Sequence, residues 1–179
     1  MTMNETLEDL LSVESSRRSA DLVADIILQK PELFGELVAI FFRVEEPVSR
    51  RAVWVMDIVS EKKPVLILPY LEEIALRLPE FSHDGMKRES LKILARSPLV
   101  KIQFGQLMNT CFKWLVSQEE SVGIKMFSME ILFRMSEIEP DLKHELAASI
   151  EWRMEEEKPG FRNRGRKLLA KLRKETSRI

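Results

Sequence analysis

Residues 47–59 read Pro47-Val48-Ser49-Arg50-Arg51-Ala52-Val53-Trp54-Val55-Met56-Asp57-Ile58-Val59. Val48, Ala52, Val55, Met56 and Val59 recur at spacings of three and four, which places them on one side of an α-helix. The proline at the head suits a helix start, where its missing N–H costs no intrahelical bond. Trp54 and Ile58 fall on the opposite side, so the segment is apolar on more than one face and is expected to lie buried between neighbours. A small residue, Ala52, sits at its centre, where lack of bulk lets two helices approach closely.

The same frame recurs outward from this stretch. Small residues at Ala20, Ala52, Ser90, Ser128 and Gly165 are separated by 32, 38, 38 and 37 residues. Apolar residues accompany them at minus four, plus three, plus four and plus seven, for example Ile124, Ile131, Leu132 and Met135 around Ser128, and Phe161, Leu168, Leu169 and Leu172 around Gly165. Ser16 and Ser97 are the two polar residues that break the frame. Proline punctuates the chain in step, at 31, 47, 64, 79, 98, 140 and 159, and the missing beat falls at the polar run Ser117–Ser121. Pro69 is off the beat, in the first turns after Pro64. Between these marks a second helix is expected after each of the first four anchors: Pro31–Arg43, Pro64–Leu78, Val100–Ser117 and Pro140–Met154. Sustained strand alternation is missing throughout. The unit is a helical hairpin of about 37 residues, and stacked hairpins bury a core that one hairpin could not.

Composition narrows the class. The 179 residues include one cysteine, six glycines and eight prolines, with 45% apolar and 32% charged residues. A disulfide framework, a cysteine zinc cluster, a disordered chain and a Gly-rich fibre are thereby excluded. The first 16 residues carry Glu5, Glu8, Asp9 and Glu14 and no Lys or Arg, unlike a secretory signal, and no apolar run reaches the roughly 20 residues of a membrane span. A cytoplasmic protein with no membrane contact is expected. The net charge of −1 conceals four blocks: residues 1–46 carry −6, 47–118 carry +4, 119–157 carry −7 and 158–179 carry +8.

The recurring frame resembles HEAT repeats, whose first helix often reads apolar, basic, small, then two apolar residues. Here that pattern is Pro47-Val48-Ser49-Arg50-Arg51-Ala52 with Val55-Met56, then Met86-Lys87-Arg88-Glu89-Ser90, Ile124-Lys125, and Phe161-Arg162-Asn163-Arg164-Gly165. The family's frequent Asp in the first helix is missing from several units, and an armadillo-like relative is the neighbouring possibility. The resemblance covers about residues 16–175. It implies an all-α, right-handed α-α superhelix: an acidic segment or helix over 1–15, four hairpins over 16–157 and a basic capping helix over 158–179, forming a single domain.

The resemblance also implies a protein partner on a concave face lined by the second helices. The polar residues there are Tyr70, Glu73 and Arg77, then Gln103, Gln106, Asn109 and Lys113, then His144 and Arg153. The alternative is nucleic acid. The basic tail of Arg162, Arg164, Arg166, Lys167, Lys171, Arg173, Lys174 and Arg178 could contact phosphates. Arg50, Arg51, Trp54 and Asp57 are also similar in residue type to the Trp, Asp and Arg with which HEAT-like alkylpurine DNA glycosylases hold damaged DNA. Against that, Trp54 reads first as a packing residue between repeats, and the tail reads first as a solvated cap.

Catalytic and cofactor chemistry leave no trace. His83 and His144 stand 61 residues apart with no second ligand at metal spacing beside either, so no metal site is expected. Cys111, between Thr110 and Phe112, reads as a core filler. Gly-rich phosphate loops and nucleophile–base motifs are missing, and no cofactor is expected.

Overall fold

A computed structural model describes residues 6–43, 45–99 and 104–176. Within them run ten α-helices and no strand: α1 (Leu7–Val13), α2 (Arg17–Gln29), α3 (Phe34–Arg43), α4 (Val48–Lys62), α5 (Leu71–Arg77), α6 (Asp84–Arg96), α7 (Phe104–Val116), α8 (Val122–Ile138), α9 (Leu142–Met154) and α10 (Pro159–Thr176). Val100 and Gln103, named above, and Arg178 lie outside the described residues.

The first helices α2, α4, α6, α8 and α10 stack in sequence as one layer. The second helices form another, in which α5 packs on α7 and α7 on α9, while α3 packs on α4. Between the layers run the buried faces of both, and α1 lies across α2, α3 and α4 at the front. This is an all-α solenoid, as the periodicity requires.

All five small anchors are buried. Gly165 shows why size matters there: a Cβ at that position would stand 2.9 Å from Met154 Sδ and 3.0 Å from Ile150 Cγ2, so α10 lies directly against α9. The two frame-breaking serines are helix caps. Ser16 precedes α2 and its hydroxyl accepts from the Ser19 N–H at 3.1 Å; Ser97 follows α6 and donates its hydroxyl to the Ile93 carbonyl at 2.8 Å. The frame therefore ends where these helices end. Serine suits Ser16's position because its oxygen satisfies an N–H left without an intrahelical partner.

One expectation needs correction. Residues 64–78 do not form a continuous helix: Pro64–Leu66 and Leu68–Tyr70 are 3-10 turns, α5 is two turns long, and Leu78–Glu80 is again 3-10. Pro69 is the cause. Lacking an N–H and crowding the preceding turn, it prevents an α-helix from running through Ile67–Tyr70. Pro31–Leu33 is likewise a 3-10 turn ahead of α3.

Ser90 differs from its equivalents Ala20 and Ala52 only by a hydroxyl, which is fully buried and meets no hydrogen-bond partner among the described residues. Removing an unsatisfied buried hydroxyl relieves desolvation, and alanine is also the better helix former. Ser90→Ala is expected to stabilise the fold by about 1 kcal/mol. Urea unfolding should then show a raised midpoint with an unchanged slope; a lowered midpoint would mean that the hydroxyl has a role in the helix crossing.

Candidate functional site

The second helices share a register that places their outward residues in rows. Leu37, Leu71, Leu107 and Leu146 are each fully buried and are separated by 34, 36 and 39 residues. Four positions on, Phe41, Ala75, Cys111 and Ile150 are buried as well. Residues pointing away from this stripe then align helix by helix. One position before the leucine come Glu36, Tyr70, Gln106 and Glu145; two after it Ala39, Glu73, Asn109 and Ala148; six after it Arg43, Arg77, Lys113 and Trp152. Of these twelve, all are exposed except Tyr70 and Arg77, which are half-buried.

Six of the residues expected at a partner surface, Tyr70, Glu73, Arg77, Gln106, Asn109 and Lys113, fall in these rows. Their environments differ. Arg77 donates to Glu80 Oε2 at 3.1 Å and to the Phe42 carbonyl at 3.3 Å, with its guanidinium carbon 4.5 Å from the Phe42 ring centre, so it clamps α5 to α3. Gln106 reaches back to the Leu76 carbonyl at 2.8 Å. Tyr70 packs on Phe34 with ring centres 6.0 Å apart. Glu73, Asn109 and Lys113 are exposed, as is His144.

Arg153 is not on this face. It lies one position past the outward row, is buried, and bonds Glu157 from Nε at 3.0 Å and from a terminal nitrogen at 2.9 Å. Lys125 of α8 meets the same Glu157 oxygen at 2.5 Å, and both side chains are only 4% exposed. Burial raises the Glu157 pKa, but hydrogen bonds and charge from Lys125 and Arg153 outweigh it and leave this carboxyl below its ordinary 4.5.

Trp152 completes the third row and had no distinguishing mark in the sequence. It is 63% exposed, whereas Trp114 is buried and Trp54 half-buried. Glu145, Glu151, Glu155 and Glu156 share its exposed side of α9 or follow directly from it.

The residues proposed for nucleic acid are separated by the fold. Arg50, Arg51 and Trp54 line one groove at the first turns of α4 and α6. Asp57 does not join them. It is 1% exposed, and Lys92 and Arg96 of α6 both bond its carboxylate, so it ties two repeats together. On α10, Arg162 donates to the Glu155 carbonyl at 3.2 Å and Arg164 pairs with Glu130 of α8, whereas Arg166, Lys167 and Lys174 are exposed. Lys171 sits 5.2 Å from the Phe133 ring centre.

Cys111 and His83 are both engaged in the fold. Burial pushes the Cys111 thiol up to about 12, away from the reactive thiolate. His83 caps α6, its Nδ1 accepting from the Gly85 N–H at 2.9 Å. Among the described residues no three His, Cys, Asp or Glu side chains group as metal ligands, and no helix is long and apolar enough to cross a membrane.

A two-layer stack of helical hairpins, with side chains presented in register along one layer, defines a repeat solenoid. The HEAT repeat domain profile matches residues 7–172, and the chain belongs to the HEAT repeat family. No curated protein and no solved structure gives a significant match.

Proposed function

We propose that the chain is a non-enzymatic scaffold that binds a protein segment along the outward, concave face of its second helices. Exposure of Trp152 carries the reading. A large indole held in water on a helix face is costly to leave unused, and tryptophan is prominent among residues that dominate binding energy at interfaces. Its row contributes Arg43, Arg77 and Lys113, and the neighbouring rows offer Gln106, Asn109, Glu73 and Glu145 as polar contacts around that anchor.

Trp152→Ala is expected to weaken partner binding by about thirtyfold or more, in line with roughly 2 kcal/mol for an interface tryptophan, and to leave the melting temperature within about 2 °C. The measurement is a titration of the partner recovered with the full chain against wild type and variant. Equal affinity for both would place the interface elsewhere. Salt-sensitive retardation of DNA or RNA that needs Arg166, Lys167 and Lys174 would instead favour the nucleic-acid reading.

A further inference from the structure

Each first helix turns one side toward the first helix before it, and the residue six past the anchor marks that side. In α6 it is Arg96, which bonds the Asp57 carboxylate of α4; in α8 it is Arg134, which bonds the Ala95 carbonyl of α6; in α10 it is Lys171, 5.2 Å from the Phe133 ring centre of α8. In α4 it is Ile58, 3% exposed, and one turn earlier Trp54 lines a crevice with Ser19 and Val23 of α2. The same two places in α2 hold Ile26 and Leu22, so α2 carries the apolar side of a helix that follows another.

That side is open. No first helix stands before α2 among the described residues, and α1 covers it only in part. A groove of about 650 Å³ runs along it, walled by Leu10 and Val13 of α1 and by Arg18, Leu22, Asp25 and Ile26 of α2. Val13 is 76% and Leu22 58% exposed, a cost that a cover would remove. At the rear, by contrast, α10 shows water Arg166, Lys167, Ala170 and Lys174, a polar face that needs no cover.

The charges along the groove point to what covers it. Arg18, Leu22 and Asp25 follow one another at spacings of four and three, so a cation, an apolar group and an anion stand in line on α2, all exposed. Turned end for end, the line reads anion, apolar, cation. Arg18 meets no carboxylate among the described residues. Asp25 gives one oxygen to Lys62 at 3.2 Å and keeps the other for a second donor. Glu14 and Gln29, exposed at the two ends of the groove, match as acceptor and donor under the same reversal.

We propose that a second copy of the chain covers this groove, the two α2 helices lying antiparallel about a two-fold axis at Leu22. Arg18 of each copy then pairs with Asp25 of the other, Leu22 packs on Leu22, and Val13 and Ile26 leave water at the flanks. Such a contact is isologous and closes at two copies. It lies at the front of the stack and is independent of the face that carries Trp152.

The test is sedimentation equilibrium of the full chain. Mass should rise from the 20.9 kDa of one chain toward twice that value and stop there, with half-association at about 10–100 μM, as a small interface implies. Leu22→Arg should weaken association by about tenfold or more and leave the monomer melting temperature within about 2 °C, since the side chain is exposed. Arg18→Asp and Asp25→Arg should each weaken it alone, because each sets like charges opposite one another at both ends, and an equimolar mixture of the two variants should associate again. A chain that stays monomeric to about 1 mM, a mass that climbs past two copies, association indifferent to Leu22→Arg, or a mixture as monomeric as its components would each overturn the proposal.

Discussion

Glu157→Ala is expected to destabilise the fold by about 3–5 kcal/mol, the cost of leaving a buried charge without its partner. Lys125 is 4% exposed and pairs with no carboxylate other than Glu157 among the described residues, whereas Arg153 retains Glu156 at 2.7 Å. Glu156→Ala is the control: its side chain is 63% exposed, and an exposed pair contributes at most about 1 kcal/mol. The pH dependence has a definite sign. Because the folded-state Glu157 pKa is lowered, its contribution is fully present above the ordinary 4.5 and is lost as pH falls through the lower folded value. The gap between wild type and Glu157→Ala in urea unfolding should therefore be wide at pH 7 and narrow progressively below about pH 4.5. A gap that stays constant down to pH 3 would show that the carboxylate is not what holds this corner.

Leu107→Ala is expected to cost about 3–4 kcal/mol, within the range for truncating a fully buried leucine. Its place in the stack makes the result informative. In a solenoid each unit is stabilised by its own fold and by its two neighbours, so a lesion at the centre weakens contacts on both sides. Leu107 lies on α7, which packs on α5, α8 and α9. Hydrogen exchange should then show protection falling in α5 through α9. A comparable truncation at Leu172, on the last helix, should lower protection chiefly in α10. If both variants unfold the chain in the same pattern, the repeats act as one cooperative block.

The fold was readable because burial writes itself into period. The anchors at Ala20, Ala52, Ser90, Ser128 and Gly165 are small for a geometric reason and their companions apolar for a solvation reason, so both recur by residue type. Even Ser16 and Ser97, which broke the frame, did so because a helix begins at the one and ends at the other. The reading failed at Pro69, where the beat of the other prolines obscured what one more proline does to a helix two turns long.

Site residues were legible only in part. The stripe of the second helices leaves Glu73, Gln106, Asn109 and Lys113 exposed and Tyr70 and Arg77 half-buried, but Arg153 differs from them by one position of phase, which a weakly patterned helix does not reveal. Ion pairing left no mark in the sequence at all. Asp57 meets Lys92 and Arg96 from 35 and 39 residues away, and nothing in their spelling distinguishes a strut from a surface charge. Trp152 shows the converse difficulty, since a tryptophan in water and one in a core are written with the same letter.

The forward contacts of the first helices change character along the stack. Five residues past each anchor, Asp25 meets Lys62, Asp57 meets Lys92 and Arg96, the Ala95 carbonyl meets Arg134, and the Phe133 ring meets Lys171. Carboxylate, carboxylate, peptide oxygen and aromatic face thus succeed one another as the acceptor of a cation. Each joint is keyed to its successor, so the hairpins are ordered modules and not exchangeable ones. Dissolved ions screen the first joint, whose Asp25 and Lys62 are exposed, far more than the second, whose Asp57 is buried, so added salt loosens the stack from its first hairpin.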